Sequence, residues 1–134
     1  MILSTKTILD ELVEGVGEDL ALSKSQVNEA ELRKSLGDLP STLSMMDALK
    51  IFSTKITRKS QRIKVIAEVK KASPSKGLLV EEFSPSKIST IYEEAGASAV
   101  SVLTEKRKFL GSLSDLSEVS STVNIPVMRK EFIF

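Results

Sequence analysis

The sequence contains no cysteine, no histidine and no tryptophan, and its only tyrosine is Tyr92. These absences exclude much chemistry. Disulfides, thiolate nucleophiles and imidazole bases are ruled out, and so are the usual zinc ligands. Any proton transfer must use Glu, Asp, Lys or Tyr. An excess of one charge is also lacking: 19 basic and 18 acidic residues leave +1. No overall field therefore draws the chain to nucleic acid or to an anionic membrane. No apolar run approaches the roughly 20 residues that span a bilayer. The opening Met1-Ile2-Leu3-Ser4-Thr5-Lys6 lacks the apolar core and cleavage pattern of a signal peptide. The expectation is a soluble, cytoplasmic protein whose 134 residues suffice for one domain with a real core.

What is present changes rhythm near the middle. Residues 1–60 read as a helical extension. Ile8, Leu9, Leu12, Val13, Val16 and Leu20 follow a 3.6-residue period behind Ser4, Thr5 or Thr7 as N-cap. Asn28 with Glu31 has the spacing of a capping box opening a helix through Leu36, and a further helix is predicted from Thr42 to Leu49. Residues 61–134 alternate strand and helix. Strands are predicted at Lys64–Lys70, Ala99–Thr104 and Val127–Lys130. Helices are predicted near 85–95, behind Ser84-Pro85, and near 113–121, behind Ser112. Strand–helix–strand–helix–strand implies an α/β fold of parallel strands joined by right-handed crossovers.

The stretch AEVKKASPSKG, Ala67 to Gly77, breaks the pattern of a core strand. Strand side chains alternate, so Val65, Ala67 and Val69 share the face expected to meet the helices. Ile66, Glu68 and Lys70 share the other, with the charges at the carboxyl end. The third strand repeats this with Met128 and Lys130, and Phe132 continues the face. Two parallel strands thus each deliver an ammonium group to the rim where parallel α/β folds hold their sites, whether barrel or open sheet. Taken singly, each lysine reads as a solvated strand end and Glu68 as its neutralising partner. Two such ends in dense local motifs favour a site. Lys71 and Lys76 read as solvated loop charges. Lys106-Arg107-Lys108, without interleaved aromatics, reads as a loop face rather than a nucleic-acid patch.

Three ordered stretches carry a resemblance. VIAEVKKASPSKG (65–77), AGASAVSVLTEKRKFLGSLSDL (95–116) and IPVMRKEFIF (125–134) are similar, in order and spacing, to the first three strands of the indole-3-glycerol-phosphate synthase family. The helical lead-in resembles that family's N-terminal extension. The resemblance implies the N-terminal part of a (β/α)8 TIM barrel, about three strands, and a cofactor-free, metal-free lyase of tryptophan biosynthesis. Its phosphorylated small-molecule substrate would be 1-(2-carboxyphenylamino)-1-deoxyribulose 5-phosphate, converted to indole-3-glycerol phosphate with loss of CO2 and water. Carried across, Lys130 would be the general acid, Lys70 would hold a substrate anion and Glu68 would orient Lys70. Ser73 and Pro74 would shape a loop over the substrate. Phe109, Met128 and Phe132 would contact it, the two phenylalanines as apolar walls that could equally be ordinary core.

The sequence departs from the family pattern at Glu131, where aspartate is common, and at Leu110, where glycine or a polar residue is commoner. It also holds only three of eight strands, without the family's second glutamate, later asparagine and arginine, or glycine-rich phosphate site. The expectation is therefore an enzyme sequence that is inactive by itself. The alternative is a non-catalytic remnant or half-barrel module that assembles with another chain. Self-association through the open edge of the third strand is expected in either case.

Overall fold

The structure, a computed structural model, describes residues 7–37, 39–50 and 63–133. The candidate caps Ser4 and Thr5 and the expected boundary at residue 60 lie outside the described residues. Two compact units are distinguished: α1 and α2 with the chain beyond Glu131, and the unit of Thr42–Glu131.

In the first unit, α1 (Ile8–Gln26) starts at Thr7. The Thr7 hydroxyl accepts the Asp10 N–H at 3.3 Å, while the Asp10 carboxylate accepts the Thr7 N–H at 2.8 Å. Asn28 and Glu31 form the same reciprocal box at 3.0 and 3.1 Å before α2 (Glu29–Ser35). Both caps satisfy amides that a helix start otherwise leaves unpaired.

The second unit begins with α3 (Met45–Leu49), shorter than the predicted 42–49 because Ser44 caps it. It lies against β4 (Ala99–Leu103). β1 (Ile66–Val69), β4 and β5 (Val127–Lys130) form a parallel sheet in the order β1-β4-β5. The crossovers are α4 (Pro85–Glu94) and α5 (Leu113–Thr122). Ser84 caps α4 with Pro85 at its first position. Gly96, at φ +88°, lets the chain leave α4: its N–H reaches the Glu93 carbonyl and the Ala97 N–H reaches the Tyr92 carbonyl, both at 2.9 Å. This left-handed exit satisfies the last carbonyls of the helix.

Val69, Val100, Val102, Val119 and Val123 form the core, bordered by Phe83, Ile88, Tyr92, Leu116, Ile125 and Val127. Each fully buried valine contributes about 1.5–3 kcal/mol relative to an exposed one. Two backbone contacts tie the helices: Glu118 accepts the Ser86 N–H at 3.0 Å, and Glu93 accepts the Asn124 N–H at 2.9 Å.

Two expectations are corrected. Val65, expected to face the helices, lies outside β1 and is exposed, and its carbonyl accepts the Ser98 and Ala99 amides. After β1 the chain forms a small antiparallel hairpin, β2 (Ala72–Ser73) and β3 (Gly77–Leu78), around the turn at 74–76. Lys71 is not a solvated loop charge. It is half-buried, with its ammonium 5.8 Å from the centroid of the Phe83 ring, where a cation is attracted by the π face.

Candidate active site at the carboxyl rim of the sheet

The sheet register aligns side chains across three strands. Glu68 pairs with Ser101 and Ser101 with Met128, so these three form one row on the face away from the core. Leu103 pairs with Lys130 one row further along, and Lys70 follows Val69 at the end of β1. Lys130 reaches back across β4 to Glu68. The Glu68 carboxylate then bridges both cations: Oε1 accepts from Lys70 Nζ at 2.7 Å and Oε2 from Lys130 Nζ at 2.6 Å. The ammonium groups expected at one rim thus share a single carboxylate. Each ammonium carries three donors and gives one of them to Glu68, so further donors and a net positive charge are left for an anionic ligand.

Glu68 is half-buried. Burial is the strongest single influence on its carboxyl and pushes its pKa up. The hydrogen bonds and charges of Lys130 and Lys70 together outweigh burial and hold it below the usual carboxylate range. The sign of the pH dependence follows. A carboxyl with a depressed pKa in the folded state stabilises the fold above its unfolded pKa and loses that contribution as pH falls through the folded value. The bridge should therefore persist through neutrality and mild acid, and open only below the ordinary glutamate range. A 13C titration of the Glu68 carboxyl checks this; a midpoint within or above the ordinary glutamate range would refute it.

Other groups hold the rim. The Tyr92 hydroxyl, on α4, donates to the Glu68 carbonyl at 3.2 Å and ties the strand carrying Glu68 to the crossover helix. Beneath Lys130, Thr104 Oγ1 donates to Glu131 at 2.9 Å and accepts from Arg129 Nε at 3.1 Å. The Thr104 N–H bonds the Lys130 carbonyl at 3.1 Å. The Ser101 hydroxyl is buried and has no hydrogen-bond partner among the described residues.

The remaining candidates occupy separate places. Ser73 is half-buried in β2, and its hydroxyl accepts the Lys76 N–H at 3.3 Å across the turn that holds exposed Pro74. Met128 is exposed beside Ser101. Phe132 is half-buried beyond β5 and belongs to the first unit. Phe109 is half-buried, and its carbonyl accepts the Ala72 N–H at 3.2 Å, two residues after Lys70.

Sequence reasoning missed Glu105. It is 3% exposed. Its Oε1 accepts the Arg107 N–H at 2.8 Å, and its Oε2 accepts the Lys108 and Phe109 N–H groups at 2.8 and 2.9 Å. The available signal was a carboxylate two residues beyond an apolar strand, ahead of three cations.

The same loop explains the unusual Leu110. It is the one non-glycine residue with positive φ, +54°, among the described residues. A side chain there costs about 1–2 kcal/mol, which glycine avoids at a smaller cost in chain entropy. Leu110 is also exposed, so little burial is lost on truncation. Leu110→Gly should stabilise the fold by about 0.5–1 kcal/mol in urea unfolding; a loss of stability would contradict this.

Among the described residues, no group of three His, Cys, Asp or Glu side chains could hold a metal ion, and no helix is long and apolar enough to cross a membrane. The sequence model of the family described as indole-3-glycerol phosphate synthase matches residues 18–134. Curated relatives of that name align over 131 residues, 98% of this chain, at 43% identity in Mycolicibacterium gilvum and 41% in Mycolicibacterium vanbaalenii. An alignment of the same extent and 41% identity is found in Mycobacterium tuberculosis. The chain spans 45% of the length of these relatives. The parallel sheet with its crossover helices corresponds to the first part of a (β/α) barrel, and the chain belongs to the indole-3-glycerol phosphate synthase family.

Proposed function

We propose that this chain carries the acid and one anion-binding group of an indole-3-glycerol phosphate synthase, and that turnover requires the later strands of the barrel. The observation that supports this reading best is the Glu68 carboxylate shared by Lys70 and Lys130 at the rim. In this reading the substrate is 1-(2-carboxyphenylamino)-1-deoxyribulose 5-phosphate. Its ring carbon bearing the carboxyl group attacks the ketone carbon, and Lys130 delivers a proton to the ketone oxygen as the carbon–carbon bond forms. The carboxyl group then leaves as CO2, and the new hydroxyl leaves as water, which restores the aromatic system as indole. Lys70 holds a substrate anion, and Glu68 keeps the two ammonium groups apart and aimed along the rim. Ser73 and Pro74 shape the loop over the substrate, while Phe109 and Met128 offer apolar surface to the aryl ring. No cofactor is needed, because protonation and charge stabilisation drive every bond change.

The phosphate supplies much of the binding energy that positions the reacting ring. Its site in the family lies on strands beyond these three. The test is indole fluorescence with the substrate, for the 134-residue chain alone and mixed with the complementary portion of the Mycolicibacterium gilvum relative. Activity is expected only in the mixture. Turnover by a monodisperse monomer of this chain would refute the requirement, and an inactive but well-folded mixture would refute the assignment of the rim.

A further inference from the structure

We infer that Glu105 is a positioning residue: its carboxylate folds the 105–111 loop and so fixes Phe109 beside the end of β1 that carries Lys70. The role assigned to Phe109 rests on the function proposed above; the folding of the loop does not. Three amide donors converge on one side chain that is almost fully buried. A carboxylate offers about four acceptor positions, so it can hold three amides where a hydroxyl or an amide side chain cannot. The loop closes on the same residue, because the Gly111 N–H donates to the Glu105 carbonyl at 2.8 Å. The opposite end of this arrangement is the bond from the Ala72 N–H to the Phe109 carbonyl. The loop after β4 is thereby docked on the chain leaving β1, and the Phe109 backbone is held from both directions. Lys106, Arg107 and Lys108 stand outward from the loop this carboxylate organises.

The two oxygens are used unequally, which makes the inference testable by graded substitution. In Glu105→Gln, the amide oxygen can replace Oε2 and keep the Lys108 and Phe109 donors, while its NH2 group faces the Arg107 N–H, donor against donor. In Glu105→Ala all three acceptors are gone. Amide hydrogen exchange by NMR on the 134-residue chain should show loss of protection, roughly tenfold or more, at Arg107 alone in Glu105→Gln. In Glu105→Ala the same loss should appear at Arg107, Lys108 and Phe109, with Val100 and Val102 in β4 unchanged. If Glu105→Ala fails to fold, the Arg107-specific loss in Glu105→Gln still decides the matter. Loss of protection spread evenly into β4 in both variants, or no change at Phe109 in Glu105→Ala, would overturn the inference.

Binding of 2-aminobenzoate, followed by shifts at Phe109, Ala72 and Lys130, separates positioning from general stability. Glu105→Ala should weaken it about tenfold, and Glu105→Gln by less. Equal affinity in wild type and Glu105→Ala would overturn the positioning role. Graded exchange without any binding to the wild-type chain would support the role of Glu105 in the loop and remove the aryl-binding reading of Phe109.

Discussion

Gly111→Ala should destabilise the sheet unit by about 3 kcal/mol, because the added methyl group meets backbone on the far side. An alanine Cβ at this position would lie 2.2 Å from the Leu103 carbonyl oxygen, 2.7 Å from its carbon and 3.1 Å from the Thr104 Cα. All three are backbone atoms, so no side chain can swing aside. Nor can the strand end retreat, because the Thr104 N–H is bonded to the Lys130 carbonyl and Leu103 is paired with Lys130. The clash must be relieved by moving the loop or by parting β4 from β5. At about 4–8 °C per kcal/mol for a unit of this size, the midpoint of thermal unfolding should fall by roughly 12–24 °C. Gly77→Ala is the control. Gly77 has φ +66° but open space around a Cβ, so it should cost only about 1–2 kcal/mol of backbone strain. A Gly111→Ala loss no larger than that of Gly77→Ala in circular-dichroism melts would show that the loop yields easily.

In a barrel completed with the later strands of a relative, Lys130→Ala should lower kcat by roughly 10²–10⁴-fold and change KM little. General acid catalysis contributes about that much, and it acts in the transition state rather than in substrate binding. Lys70→Ala should instead raise KM and lower kcat together, because an anion-holding group binds both the ground state and the transition state. The shared carboxylate couples the two substitutions. Removing either lysine leaves Glu68 with one partner, so its carboxyl should titrate higher in each variant than in the parent. Steady-state kinetics with the phosphorylated substrate distinguish the roles. Equal and modest losses for both variants would mean that Lys70 and Lys130 are only charges on a rim.

Much of this architecture was legible because it is local. Thr7, Asn28, Ser84 and Ser112 announce helix starts through contacts within three residues, and Gly96 announces a helix end. Alternation along two short strands placed Glu68, Lys70, Met128 and Lys130 on one face before any packing was considered. The hairpin of β2 and β3 is not legible in the sequence, because two-residue strands carry no periodicity. Nor is the setting of Lys71, because the Phe83 ring near its ammonium lies twelve residues further along the chain.

By itself, the sequence determined the order of strands and helices, the face on which the charges lie, and the three motifs that mark the family. Side-chain alternation, capping chemistry and motif spacing all act along the chain. Only the tertiary structure decided which charges meet. Glu68 and Lys130 are 62 positions apart, and they join because the β1-β4-β5 order and register bring their strand ends to one rim, within a lysine's reach. The same holds for the Tyr92 hydroxyl on the Glu68 carbonyl and for the Leu103 backbone that leaves no room beyond Gly111. The Glu105 carboxylate bonds near neighbours in its own loop, yet those bonds acquire consequence from the contact between Phe109 and Ala72, which the packing of two strand ends creates.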